Sequence, residues 1–340
     1  MTPPRCTRPR STPSRPRQGP AGPERHYPPL VISLETPLLR LDVLPDLGGG
    51  VARLDLRHPS LGVLSPWRPA PATPTCFTSL ASYSLVPWSN RIDHATLHHR
   101  GRTLRLKADW RDGTAIHGDA KHRPWRVLDR SPRSVRLAVD VEDAGDRNFP
   151  WAYRAVIRYE LRGATLLTAL SVTNLDREPF PAGMGFHPFW QRRLTPRDGA
   201  GGGEAIVRLP VAARYPCERV MPAGPAFRDD VVERLAGGTT LEGLDLDDVF
   251  AGFEGRAEVT WPDAGVTARC ECSPEFSHAV LYSPQTGPDA GCFCLEPVTM
   301  VNNGFNLREA GWPGTGVVDV DPGRTFEGAW SVSFDVEDPA

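Results

Sequence analysis

Alternation of apolar and polar residues with a period of two is the feature that most restricts what this chain of 340 residues can fold into. The clearest alternating runs are 135–141, 153–161, 166–172, 257–261, 266–270 and 330–336. Successive side chains of a strand point to opposite faces of its sheet, so these runs predict half-buried strands. Short turn segments at 162–165 and 262–265 predict that the four central runs form two hairpins.

Patterns typical of other fold classes are weak. A helical spacing at 231–235 covers only a few residues, and no strand is followed by a glycine-rich turn and a helix. A parallel sheet with crossover helices, or a site for nucleotide phosphates, is therefore not expected. The density of strand and turn signals predicts an all-β fold of large, stacked antiparallel sheets with few short helices.

The first 29 residues differ in composition from the rest of the chain. They contain nine prolines and six arginines and almost no large apolar residues, so they cannot support a packed core. We expect residues 1–29 to be a disordered tail and residues 30–340 to form a single β-sandwich domain.

The balance of charge argues against polyanionic partners. Lysine and arginine together number 39 against 41 acidic residues, which gives a formal net charge of −2. Such a chain has no overall field to attract nucleic acid or an acidic membrane surface, and it has no run of about 18 apolar residues to cross a membrane. A small neutral or weakly polar ligand is the expected partner. Only Lys107 and Lys121 are lysines, so an amine nucleophile has few candidates.

Cysteine usage points to a reducing compartment. The number of cysteines is odd and the chain starts without an apolar stretch of the secretory kind, so a reduced, cytoplasmic protein is expected. Two Cys-x-Cys pairs, Cys270 with Cys272 and Cys292 with Cys294, leave open a four-thiolate zinc site. The alternating pattern around Cys270 favours buried thiols in strands, and structural zinc sites usually space their cysteines on turns.

Two segments each put a titratable side chain directly before a proline. They are His187-Pro188 and Glu296-Pro297. Proline restricts the preceding residue to extended backbone, so the imidazole and the carboxylate stand on stiff supports. These groups most often exchange protons near neutral pH, and together they are candidates for an acid and a base.

Further polar residues stand among apolar or turn-forming neighbours. They are Asn90, Arg91, His117 and the adjacent Asp247 and Asp248. In a structural reading, each of them forms a salt bridge or caps a turn. In a functional reading, they converge with the acid/base candidates on a hydroxyl-rich ligand.

Taken in chain order, the polar segments resemble the sequence motifs of the aldose 1-epimerase (galactose mutarotase) family. The matching pieces are Asn90-Arg91-Ile92, His117-Gly118, Gly185-Phe186-His187-Pro188-Phe189-Trp190, Leu246-Asp247-Asp248-Val249-Phe250 and Leu295-Glu296-Pro297. The resemblance covers residues 30–336 and implies a galactose mutarotase-like β-supersandwich that binds a monosaccharide on its concave face. It implies no metal and no other cofactor for the chemistry.

The resemblance also implies roles for individual residues. His187 matches the family's general acid and Glu296 its general base. The residues that match its sugar-binding groups are Asn90, Arg91, His117 and Asp247, with the choice between Asp247 and Asp248 left open. Trp88 and Trp190, the tryptophans nearest the motifs, either stack on the sugar or pack in the core.

The expected reaction is the interconversion of the α and β anomers of a free aldose. Glu296 takes a proton from the C1 hydroxyl while a protonated His187 gives one to the ring oxygen, and the open chain recloses on its other face. A neighbouring anion has to support the charged imidazole.

Other readings stay open at this point. A hexose-phosphate epimerase needs cations for the phosphate, and Arg192 and Arg193 follow the histidine motif. A carbohydrate-binding or sensing protein on the same fold needs no catalysis. A glycoside hydrolase uses two carboxylates, for which Asp247 and Glu296 are the candidates. The chain allows a monomer or a homodimer.

Overall fold

The computed structural model of the protein describes residues 30–195 and 202–337, and the segment expected to be a disordered tail, 1–29, lies outside these ranges. In the described residues most of the regular structure is antiparallel strand. The first strands are β1 (Ile32–Glu35), β2 (Leu39–Leu44), β3 (Gly50–His58), β4 (Gly62–Leu64), β5 (Ser84–Leu85), β6 (Arg91–Ile92), β7 (Thr96–His99), β8 (Arg102–Arg105), β9 (Ala115–Ile116), β10 (Arg126–Arg130), β11 (Ser134–Val141), β12 (Tyr153–Arg162), β13 (Thr165–Asn174) and β14 (Phe180–Ala182). The later strands are β15 (Gly185–Phe186), β16 (Phe189–Gln191), β17 (Ile206–Arg208), β18 (Ala213–Arg214), β19 (Cys217–Glu218), β20 (Met221–Pro222), β21 (Thr239–Thr240), β22 (Asp247–Ala251), β23 (Arg256–Trp261), β24 (Val266–Cys272), β25 (His278–Tyr282), β26 (Cys292–Val298), β27 (Val318–Val320) and β28 (Thr325–Val336).

Helices are few and short in the described ranges. Helix α1 (Asp230–Gly237) covers the segment with helical spacing, and its N-cap Asp229 accepts a hydrogen bond from the backbone N–H of Val232. Helix α2 (Gly304–Glu309) was not expected, because six residues are less than two turns and leave no repeating period to detect. Short 3₁₀ turns occupy Phe77–Ser79, Asp93–Ala95, Ala120–His122 and Pro262–Ala264. None of the helices in 30–195 and 202–337 has the length and apolarity needed to cross a bilayer.

The larger sheet contains nine strands in the order β10-β11-β12-β13-β28-β24-β23-β17-β21, and every neighbouring pair is antiparallel. Both predicted hairpins are confirmed. Strand β12 pairs with β13, and β23 returns as β24 through the turn Pro262–Ala264. The alternating run 330–336 forms the end of β28, which lies in the middle of the sheet.

A second sheet packs against the first and carries the polar motifs. Its order is β18-β22-β25-β26-β15-β5, with β16 also paired to β26. Phe186 on β15 stacks on Trp330 of β28, with ring centroids 5.3 Å apart, so the two sheets meet face to face. Along β26, Phe293 and Leu295 face this shared core, while Cys294 belongs to a smaller apolar cluster on the opposite face. Because residues two apart in a strand share a face, Glu296 lies on that opposite face too.

The tryptophans nearest the motifs are core residues. Trp88 and Trp190 are fully buried, and Trp190 packs edge-to-face on Trp67. Of the two readings, stacking on a sugar is therefore wrong and core packing is right for both. The four-thiolate zinc site is also wrong: Cys270 and Cys272 lie on β24 of the larger sheet and the other two thiols on β26 of the second, and they form no ligand cluster in the described chain.

Candidate active site

A cavity of about 390 Å³ opens on the face of the second sheet that points away from the shared core. This is the size of a small-ligand site. It brings together all six residues that the sequence singled out as site residues, although they are spread over some 200 positions. Those lining residues are Asn90, Arg91, His117, His187, Asp247 and Glu296.

His187 and Glu296 meet at the floor of this cavity. The imidazole Nε2 lies 3.2 Å from the carboxylate Oε1, and both side chains are at least nine-tenths buried. Glu296 is fixed on β26 by pairing with Val280 of β25. His187 lies between β15 and β16, where its backbone N–H donates to the carbonyl of Tyr83 at 3.0 Å. Both supports are rigid backbone, so the contact is preorganised.

Aromatic rings hold the imidazole of His187 in place. The ring of Tyr83 stacks on it at 4.6 Å between centroids, and Phe189 stacks on it at 4.8 Å from another direction. Tyr83 also contacts the ring of His117 edge-to-face at 5.7 Å. Sequence reasoning missed Tyr83, because one tyrosine in an irregular segment carries no signal; Phe189 lay in the histidine motif but had no assigned role.

The adjacent aspartates point in opposite directions, as neighbours on a strand must. Asp247 lines the cavity, with Oδ2 3.8 Å from Nη2 of Arg91. Asp248 instead forms an ion pair with Arg214 at 2.6 Å. Arg91 is held by a second carboxylate, since its Nε donates to Asp112 at 3.0 Å. The structure therefore selects Asp247 as the aspartate that a bound ligand can contact.

Asn90 and His117 share an unusual backbone conformation. Their φ angles are +52° and +58°, in the left-handed region that non-glycine residues seldom adopt. The backbone N–H of His117 donates to the carbonyl of Asn90 at 2.8 Å, next to the pairing of β6 with β9. Burial lowers the pKa of His117 well below its usual value, and the neighbouring His187 and the cations Lys121 and Arg91 act in the same direction. This imidazole is therefore neutral.

The cavity is also lined by residues that sequence reasoning did not select. They are Thr78, Trp110, Arg111, Ile116, Tyr282, Pro288 and Asp289. Asp289 pairs with Arg68, whose guanidinium lies 3.8 Å above the ring centre of Phe189. Arg192 and Arg193 are not part of the lining. Arg192 pairs with Glu204, and Arg193 donates to the carbonyl of Gly202.

Comparison with known proteins identifies the family of the chain. The model of the Aldose 1-epimerase family matches residues 32–329 of the chain. The chain belongs to the aldose 1-epimerase family. The Escherichia coli K12 protein named "Uncharacterized protein YphB" is 26% identical to it over 243 residues, which are 69% of this chain and 78% of that protein.

Solved structures share the epimerase-family fold. A galactose mutarotase-like protein from Clostridium acetobutylicum superposes with a TM-score of 0.76 at 20% identity, over 90% of this chain and 95% of that one. The GalM/aldose epimerase homologue from C. elegans gives 0.76 at 16% identity, over 91% of this chain and all of that one. The predicted family and the all-β, galactose mutarotase-like fold are therefore confirmed.

Burial shifts the pKa values of Glu296 and His187 in opposite directions. It raises the pKa of Glu296 well above the usual value, with the charge of Asp247 adding to the effect and Arg91 opposing it. Burial, with the charges of Arg68 and Arg91 acting in the same direction, lowers the pKa of His187 to about 3. Both shifts favour the form in which the carboxyl holds the proton and the imidazole is neutral. The charged imidazole expected from sequence stays a prediction for the reacting complex, and burial opposes it.

One group of potential metal ligands exists in the described residues, and it includes the same pair. Donor atoms of His187, Cys294 and Glu296 lie within 4.8 Å of one another. Burial raises the pKa of the Cys294 thiol well above its usual value, with Glu296 contributing. A metal would have to displace the protons of both the thiol and the carboxyl, so the donor set favours proton exchange over metal binding.

Proposed function

We propose that this protein is an aldose 1-epimerase, which interconverts the α and β anomers of a free aldose. The observation that carries the proposal is the buried contact of 3.2 Å between His187 and Glu296 at the floor of a polar cavity. Opening a pyranose ring requires a base for the C1 hydroxyl and an acid for the ring oxygen. A preorganised imidazole and carboxyl can provide the acid and the base, which act on the two oxygen atoms bonded to C1.

The two proton transfers of ring opening balance, because this pair takes up one proton and gives up one. In the reactive form Glu296 is ionised and His187 is protonated. Glu296 takes the proton of the C1 hydroxyl, the bond from C1 to the ring oxygen breaks, and His187 gives its proton to that oxygen. The products are an open-chain aldehyde, a protonated carboxyl and a neutral imidazole. Rotation about the C1–C2 bond and the reverse transfers then close the ring on the other face of C1.

The burial of the pair favours one stage of this cycle. The ionised form and the neutral form hold the same single proton, and ring opening converts the first into the second. Because burial raises the pKa of Glu296 and lowers that of His187, it stabilises the neutral form that accompanies the open chain. The cavity thereby stabilises the enzyme form that accompanies the open-chain aldehyde, which is the least stable form of a sugar in water.

The remaining polar residues supply the contacts that hold a sugar. Arg91 offers a planar set of donors that is fixed between Asp112 and Asp247. Asp247 is an acceptor for a sugar hydroxyl, and neutral His117 and Asn90 can each donate or accept. No metal or other cofactor has a step in this reaction.

Polarimetry tests the proposal directly. Freshly dissolved single anomers of several reducing hexoses are mixed with the protein, and the approach to equilibrium rotation is followed. An acceleration above the buffer rate for at least one sugar is expected. An unchanged rate for every sugar, combined with binding in calorimetry, would instead favour a carbohydrate-binding or sensing protein.

A phosphorylated sugar is a second candidate substrate, and one observation favours it. Arg111 lines the cavity mouth, is exposed, and has no ion-pair partner in the described chain; its guanidinium lies over the ring of Trp110 at 5.3 Å. An unpaired arginine can bind a phosphate group at the rim. The Arg111→Gln variant distinguishes the two: it should impair turnover of a hexose 6-phosphate more than that of the free hexose if phosphate is recognised.

A further inference from the structure

Lys121 is a buried cation that the proposed reaction does not use. Its side chain has no solvent exposure. The ammonium donates three hydrogen bonds, to Oδ2 of Asp109 at 2.7 Å, to the carbonyl of Ile116 at 2.5 Å and to the carbonyl of Gly118 at 2.6 Å. All three of its protons are therefore used. Lys121 does not line the cavity, so it is not available as a nucleophile.

These bonds enclose one site residue. The two carbonyls belong to the residues directly before and after His117. Asp109 completes the arrangement, because its other oxygen accepts the backbone N–H of Ile116 at 2.9 Å. The Lys121–Asp109 pair thus binds both backbone polar groups of Ile116 and one of Gly118.

The backbone of His117 needs such support. Its φ of +58° is a left-handed conformation that persists only where the surroundings hold it. Gly118 is also left-handed, and a Cβ there would lie 2.0 Å from the carbonyl oxygen of Val86, so the segment has no space to relax on that side. A buried charge destabilises a protein unless it is fully paired. Here the groups that pair with Lys121 include the backbone carbonyls on either side of His117, so the pairing holds this backbone in place.

We propose that Lys121, together with Asp109, is a positioning residue that holds the imidazole of His117 in the sugar cavity. The effect on kinetics rests on the proposed epimerase function. Lys121→Met keeps the length and packing of the side chain but removes the three hydrogen bonds. The segment 116–118 then loses its anchor, and the ring that contacts His187 at 5.0 Å between centroids moves.

A double-mutant cycle tests whether Lys121 acts through His117. The four proteins are wild type, Lys121→Met, His117→Asn and the double variant; asparagine tolerates the left-handed backbone. Lys121→Met should reduce kcat/KM for mutarotation by about 10²-fold, the usual cost of misplacing a binding group by about 1 Å. In the His117→Asn background it should cause almost no further loss. An equal loss in both backgrounds would overturn the proposal.

Arg192→Met is the matched control. It also breaks a largely buried ion pair, with Glu204, in which each side chain is 10% exposed, but it lies outside the cavity. It should lower the melting temperature and leave kcat/KM unchanged. If Lys121→Met does not fold, the variant Lys121→Met/Asp109→Asn, which leaves no unpaired buried charge, carries the same kinetic expectation.

A measurement without substrate separates this inference from the proposed function. The ¹⁵N resonances of the His117 ring are assigned by their loss in His117→Asn. They should shift or broaden in Lys121→Met and stay in place in Arg192→Met. Unmoved resonances in Lys121→Met would overturn the positioning role even if the enzyme is active, and a shift would support it even if no sugar is turned over.

Discussion

Replacing Glu296 with glutamine should change activity and stability in opposite directions. The amide keeps the shape of the carboxyl and can keep the 3.2 Å contact with His187, but it can no longer take a proton. Loss of a general base costs about 10²- to 10⁴-fold in kcat, or roughly 3–5 kcal/mol in the barrier. A lost hydrogen bond to a charged group costs only about 1.5–3 kcal/mol and acts on KM if it serves binding. A fall in kcat above about 10³-fold with an unchanged KM therefore identifies chemistry.

The stability of the same variant follows from the raised pKa of Glu296. The stability that this carboxyl contributes is fully present below its usual pKa of 4.5 and is lost as the pH rises through the raised value in the folded protein. Glutamine has no such loss, so Glu296→Gln should melt at a higher temperature than wild type, and the gap should widen from acid toward neutral pH.

Polarimetry and thermal melts on the same samples make the comparison. Glu204→Gln is the control, since it removes a largely buried carboxylate that pairs with Arg192 away from the cavity. It should melt earlier than wild type and keep its kcat. A Glu296→Gln protein with wild-type kcat, or one that loses kcat only because it unfolds, would refute the reasoning.

Two further outcomes follow from the site. Asp247→Asn should raise KM about 10- to 100-fold through a lost bond to a sugar hydroxyl, whereas Asp248→Asn, which breaks the pair with Arg214, should lower the melting temperature and leave kinetics unchanged; equal kinetic effects would contradict the assignment of Asp247 to the cavity. Since the pair holds one proton and burial lowers the pKa of His187 to about 3, the fall of kcat/KM toward acid pH should have its midpoint near pH 3, and an acid-side midpoint near the ordinary histidine value of 6.5 would show that the imidazole titrates independently.

Much of this arrangement could be anticipated because strand geometry is periodic. The hairpins β12–β13 and β23–β24 follow directly from alternation, and their turns carry the expected residues. His187 and Glu296 could be selected because a titratable residue before proline is a local signal. That they meet depends on the pairing of β15 and β16 with β26, which no local pattern encodes.

The parts that could not be anticipated depend on which face a residue occupies. Asp247 and Asp248 have the same chemistry and differ only in the pleat of β22, so the choice required the register with β25. Lys121 was noted as one of only two lysines, but its burial depends on the 3₁₀ turn Ala120–His122, which no sequence pattern indicated. The lowered pKa of His187 is likewise a property of enclosure, which a sequence does not report.

Exchange spectroscopy by NMR tests the central claim most directly, because it reports binding and anomer exchange in one sample. For a reducing hexose with wild-type protein, saturation of the α-anomer signal should transfer to the β-anomer much faster than in buffer. In His187→Asn the sugar signals should still broaden through binding while the transfer falls to the buffer rate. Transfer at the wild-type rate in a folded His187→Asn protein would contradict the account, because the imidazole would then have no part in opening the ring.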